Sequence, residues 1–187
     1  MSSLAQTNDL NFAQASQRMA QIIVGSSRTK GIVAAARGYI RSLAPGDYVG
    51  EAQALARVVR DGIRYTGDPS GEDLYANPMD TLVQKAGDCN NKVLLFGSLA
   101  RAIGFPVQMI FVFSDPNPDL QTEFPIHVLA CVDVYKGERE RAQWIPVELV
   151  PMPNATNGFP TVTVPFGTFR LPAGWSTEFV DVDQAAA

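Results

Sequence analysis

Three residues that together can turn a thiol into a nucleophile occur in order along this chain: Cys89, His127 and Glu148. A thiol attacks a carbonyl as its thiolate. It therefore needs a base to take its proton, and the base needs a third group to fix its tautomer and orientation. His127 is the only histidine, so it is the one imidazole on hand for that task. Cys89 follows Gly87-Asp88, and Asp88 is a good helix N-cap. That places Cys89 in the first turn of a helix. There the unpaired N–H groups and the positive end of the dipole favour an anion and lower a thiol pKa. The plainer reading of a lone cysteine is a small, inert apolar residue. The capped helix start before it and the histidine and carboxylate after it set Cys89 apart.

These residues have to be positioned by the elements that the pattern of apolar residues predicts. Cys89, Val93, Phe96, Ala100 and Ile103 recur at three- and four-residue steps, one inward stripe of a helix that stops at Gly104 with Pro106 beyond. Upstream, helices are expected over residues 11–24, capped by Asn8 or Asp9 and broken at Gly25-Ser26-Ser27, then from about Lys30 to Leu43 and from about Gly50 to Asp61. A short one begins at Pro78. Downstream, Val107 to Phe113, Ile126 to Tyr135 and Trp144 to Val150 read as strands joined by loops. On the second strand His127, Leu129, Cys131, Asp133 and Tyr135 share a face. Asp133 is thus an alternative acid, and Cys131, which has no helix N-terminus, is expected to pack. Helices first and a small antiparallel sheet after them make an α+β fold. Neighbouring strands lie about 4.8 Å apart, so His127 and Glu148 on adjacent strands can touch. Three segments follow: an N-terminal helical segment over 1–50, a core over 51–151 and an arm over 152–187. In the arm Thr161 to Val164 could be a strand and Pro165 to Ala187 is irregular.

Composition excludes several classes. The 187 residues carry a net charge of −4 and no long Lys/Arg cluster, so a nucleic-acid footprint is missing. No apolar stretch approaches the roughly 20 residues of a membrane span. The first ten residues lack a basic and an apolar region, so no signal peptide is expected and a cytoplasmic location is. Two cysteines do not make a disulfide scaffold, and one histidine with two separated cysteines does not make a zinc site. Gly67 to Gly71 lacks the Lys-Ser/Thr of a phosphate loop. No metal or cofactor is expected.

The runs Asp80-Thr81-Leu82, Lys85-Ala86-Gly87-Asp88-Cys89 and Leu99-Ala100-Arg101-Ala102-Ile103-Gly104-Phe105-Pro106-Val107 resemble the transglutaminase-like, papain-fold superfamily. The likeness covers about Ala52 to Pro151. It implies a central Cys-bearing helix packed on a small antiparallel sheet, with Cys89 as nucleophile, His127 as base and Glu148 as the acid. The implied activity is that of a cysteine amidase, peptidase or acyl transferase working on a peptide or protein amide through a thioester. The Cys89 backbone N–H plus Gln84, Tyr75 or Asn77 would hold the oxyanion. This chain departs from the pattern in having Glu148 for the usual aspartate, Val128-Leu129 after the histidine where an aromatic is common, and Asn90-Asn91 where an acidic residue is common. The superfamily has members that have lost catalysis, and small members encoded among virion genes of tailed phages. The alternative is therefore a structural or interaction protein of a virion or other assembly, docking through its N-terminal helices or C-terminal tail.

Overall fold

The computed structural model describes residues 5–6, 10–67, 74–136, 142–150, 171 and 173–187. Three helices come first: α1 (Phe12–Ser27), α2 (Lys30–Ile40) and α3 (Tyr48–Gly62). The cap of α1 is Asn11, closer to the helix than expected. Its side chain accepts from Gln14 N and its N–H donates to Gln14 Oε1, both at 3.0 Å, a reciprocal capping box. The expected caps Asn8 and Asp9 lie outside the described residues. α1 also runs through Gly25 to Ser27 rather than breaking there. A glycine weakens a helix by only about 1 kcal/mol, which tertiary packing overrides. Asp47 caps α3 through Gly50 N at 3.0 Å.

Short strands then frame the central helix. β1 (Ala5–Gln6) pairs with β3 (Leu74–Tyr75), and β2 (Arg64–Tyr65) runs parallel to β4 (Ala86–Gly87). Between β3 and β4 lies α4 (Pro78–Gln84), with Asn77 as cap and proline in its first turn. α5 (Cys89–Ala102) ends as its sequence dictates. Gly104 takes φ +94°, Gly104 N donates to Arg101 O at 3.0 Å and Phe105 N to Ala100 O at 3.1 Å, a left-handed C-terminal cap. The strands β5 (Val107–Phe113), β6 (His127–Asp133), β7 (Trp144–Val147) and β8 (Ser176–Asp181) form one antiparallel sheet in the order β7-β6-β5-β8, and α6 (Val182–Ala185) follows.

The last strand corrects the expectation of an irregular stretch to Ala187. β8 pairs with β5 over six residues, Gln108 opposite Asp181 through Phe113 opposite Ser176. Its composition, Ser-Thr-Glu-Phe-Val-Asp, is too polar to read as a strand, as befits an edge strand. The expected strand at Thr161 to Val164 lies outside the described residues.

α5 is the hub. Every residue from Asn91 to Ala100 is buried, so the expected single stripe widens to the whole circumference. The helix packs on α1, α2, α3 and α4 and on β5 and β6. Gly97 faces α1 closely, and a Cβ there would sit 3.0 Å from Ile23 Cδ1. Val93, Leu94, Leu95, Phe96 and Leu99 are fully buried, each contributing roughly 1.5–3 kcal/mol. Alternation on β5 and β6 is clean. Met109, Phe111, Val128, Ala130 and Val132 join this core, while Ile110, Val112, Leu129 and Cys131 form a second cluster with Trp144, Leu171 and Trp175. Phe12 of α1 meets Phe111 and Phe113 edge-on at 5.0 and 5.5 Å. Among the described residues no helix is long and apolar enough to cross a membrane.

Candidate active site

The start of α5 is built to very close tolerance. At Gly87 a Cβ would lie 2.8 Å from Asn91 Cβ and 3.3 Å from Thr81 Cγ2, so only glycine lets β4 run into the helix here. Asp88 is 4% exposed, and its Oδ1 accepts from Asn91 N at 2.8 Å. Asn91 in turn accepts from Ala76 N at 2.7 Å through Oδ1, which ties the first turn of α5 to the strand carrying Tyr75. Cys89 is the first residue of the helix and partly exposed. It thus stands at the end of α5 where the helix dipole is positive.

Cys89 lines a cleft of about 210 Å³ together with His127, Tyr75, Asn90, Tyr65 and Phe124. The histidine stands at the first position of β6, opposite Val112. Its Nε2 lies 2.9 Å from Glu148 Oε2, and the two side chains are 4% and 6% exposed. A carboxylate can only accept, so an ionised Glu148 assigns the hydrogen of this contact to Nε2. The second carboxylate oxygen, Oε1, accepts from Val150 N at 2.8 Å. Both oxygens of a buried acid are thus engaged, as burial of a charge requires. Glu148 follows the last residue of β7, and its neighbours Val147 and Leu149 are in the main core. That packing anchors the backbone from which the carboxylate reaches.

The structure therefore brings Cys89, His127 and Tyr75 to one cleft and Glu148 to the histidine behind it. It does not bring Gln84 or Asn77 to that cleft. Gln84 is exposed at the end of α4. Asn77 accepts from Met79 N at 2.9 Å as the α4 cap and lines a separate hollow of about 350 Å³ with Arg18 and Ser26. Asp133, the alternative acid, sits at the other end of β6 and accepts from Tyr135 N and Gln143 N at 3.0 and 2.9 Å, shaping the turn out of β6. Cys131 is 2% exposed in the second cluster, and burial pushes its thiol up from 9.0 to about 12, with Asp133 adding to the rise. Among the described residues no group of three or more His, Cys, Asp or Glu side chains is placed to hold a metal ion.

Two polar residues of the site went unread in the sequence. Asn91 was visible only as a departure from a pattern. Lys92, on the same turn, is fully buried and donates through Nζ to Arg60 O at 3.1 Å and Leu149 O at 3.0 Å. Burial lowers it from 10.5 to about 8 against the pull of Asp61 and Glu148, and Arg60 adds to the lowering. A lysine in an otherwise apolar run, Val93 to Phe96 following, was the one available sign.

No curated protein matches the chain. Among solved structures it is similar to a candidate protease from Parabacteroides distasonis, at 10% identity and a TM-score of 0.56, over 74% of this chain and 30% of that one. It is also similar to a candidate cysteine protease from Cytophaga hutchinsonii, at 13% identity and a TM-score of 0.47, over 85% of this chain and 55% of that one. The chain thus spans about a third and about half of these proteins' lengths, and at 10% identity the likeness to the first is one of fold. The sequence pattern of the transglutaminase-like superfamily matches residues 34–149, a stretch that runs from within α2 past β7 and holds the glycine-aspartate-cysteine helix start, the histidine strand and the glutamate. By that match the chain belongs to the transglutaminase-like superfamily.

Proposed function

We propose that this protein is a cysteine hydrolase or acyl transferase acting on a carboxamide or peptide bond. The observation that carries the reading is the buried 2.9 Å contact between His127 Nε2 and Glu148 Oε2 on the wall of the cleft that holds Cys89. With Nε2 committed to the carboxylate, the imidazole exchanges a proton through its other nitrogen, Nδ1. Cys89 Sγ gives its proton to Nδ1 and attacks the amide carbon. The carbonyl π electrons move to oxygen, and the tetrahedral oxyanion is held by the Cys89 backbone N–H and a second donor. Of the three sequence candidates Tyr75 is the one that lines the cleft. The C–N bond then breaks, Nδ1–H protonates the leaving amine, and a thioester remains. Water or an amine, deprotonated by His127, releases the acyl group and regenerates the thiol. Glu148 orients the ring throughout and stabilises the imidazolium. Tyr65, Phe124 and Ile126 are exposed on the cleft rim, apolar surface suited to the side chains that flank a peptide bond.

The chemistry is testable without knowing the substrate. With p-nitrophenyl acetate, the wild type should form an acetyl thioester at Cys89, visible in the intact mass, and release p-nitrophenolate with turnover. Cys89→Ala should lose the adduct, and His127→Ala should slow acylation by about 10²- to 10⁴-fold. Undiminished ester cleavage by Cys89→Ala would contradict the reading.

A further inference from the structure

A fully buried lysine calls for an explanation that a fully buried leucine does not. Taking an ammonium out of water costs several kcal/mol even after relaxation, and methionine would fill the same space at no such cost. What Lys92 supplies that an apolar residue cannot is donors. One goes to Arg60 O in the last turn of α3, where a cation suits the exposed carbonyls of a helix end. The other goes to Leu149 O. Leu149 is the residue after the acid, in a segment that has already left the sheet, since β7 ends at Val147. Its buried carbonyl has lost the ladder that would have satisfied it.

The three residues 148–150 are thereby held by two outside contacts and one bond of their own. His127 meets Glu148 Oε2, Val150 N donates to Glu148 Oε1, and Lys92 Nζ holds the carbonyl between them. Lys92 is also one turn along α5 from Cys89. Its bond to Leu149 fixes the distance from the helix that bears the thiol to the strand end that bears the acid. We propose that Lys92 is a positioning residue: its ammonium, anchored on Leu149 O and Arg60 O, holds the Glu148 carboxylate against His127 Nε2 in register with the Cys89 helix. This rests on the triad reading above and adds a fourth residue to it. The charged groups that face Lys92 are Asp61, Glu148 and Arg60. Asp61 and Glu148 favour the ammonium form, and so favour the clamp.

Because His127 is the only imidazole of the chain, its ring nitrogens can be followed alone by ¹⁵N NMR. Just below the Lys92 value of about 8, where its ammonium persists, the neutral imidazole of the wild type should show one tautomer, hydrogen on Nε2. Glu148→Ala should show a mixture. Lys92→Met, which keeps the length and loses the donors, should show the same kind of mixture, with acylation of Cys89 slowed by roughly 10-fold, in the range seen when a partner that orients a histidine is lost. Lys92→Arg, which keeps charge and donors, should restore the single tautomer. Circular dichroism verifies the fold of each. A wild-type tautomer in folded Lys92→Met, with a mixture in Glu148→Ala, overturns this inference and leaves the triad standing. A wild-type tautomer in Glu148→Ala overturns the triad reading and this inference with it. Should Lys92→Met fail to fold, Lys92→Gln, shorter and neutral with one amide group to donate, takes its place. Failure of both to fold assigns Lys92 to stability alone and overturns the positioning role.

Discussion

Two thiols with opposite surroundings divide the reactivity of this chain. Cys89 opens a helix and borders a cleft, whereas Cys131 is sealed between Ile110, Val112 and Leu129. With its pKa pushed to about 12 by burial, Cys131 holds on the order of one thiolate in 10⁴ at pH 8. Native protein treated with iodoacetamide at pH 8 should therefore take up one carbamidomethyl group, and peptide mapping should find it on Cys89. Label on Cys131 at a comparable rate would contradict the burial. At this scale the sequence was legible where residue type carries chemistry by itself. A unique histidine, a cysteine after Gly-Asp and a glutamate at a strand end led to the pair that the fold joins at 2.9 Å. Lys92 and Asn91 were illegible for a physical reason. Long amphipathic side chains on helices usually carry their charge out to water, and only the packing of α3 and the 148–150 segment around Lys92 prevents that here.

At the scale of elements, the reactive centre depends on how β4 enters α5. The glycine at 87 has ordinary backbone angles, and what it lacks is a Cβ. A methyl there would collide with the Cβ of Asn91 at 2.8 Å, an atom held by the helix backbone. Gly87→Ala should therefore cost about 1–3 kcal/mol, the usual range for overpacking. It should also slow acylation of Cys89, because Asn91 ties the first turn to Ala76 beside Tyr75. Urea denaturation and the ester assay measure the two effects, and a variant as stable and as fast as the wild type would contradict the account. Helix ends were legible in advance where capping chemistry fixes them, as at Asp88 and Gly104. The boundary at Ser27 was not, because Ile23 and Ser27 are buried against the rest of the fold and packing overrides the glycine. β8 was illegible because its partner β5 lies some sixty residues earlier and a polar edge strand leaves little trace in its own composition.

Over the whole molecule, no segment of the chain builds the site unaided. α1 supplies Phe12 to the cleft wall and Ile23 to the contact with Gly97. α6 buries Val182 in the main core and is clasped to α5 by an Arg101–Asp183 pair at 2.6 Å. Arg101 is the arginine in the helix exit that the sequence marked by resemblance. On the proposed mechanism this assembly turns Cys89 into a nucleophile through His127. The decisive measurement is the rate of Cys89 alkylation by iodoacetamide against pH, in wild type and in His127→Ala, each with Cys131→Ser. The expected result is rapid labelling with an apparent pKa well below the roughly 8.5 of a free thiol, rising towards that value when the imidazole is removed. Slow labelling with an ordinary pKa that His127→Ala leaves unchanged would mean that the fold holds the three side chains without the chemistry, and would contradict the account.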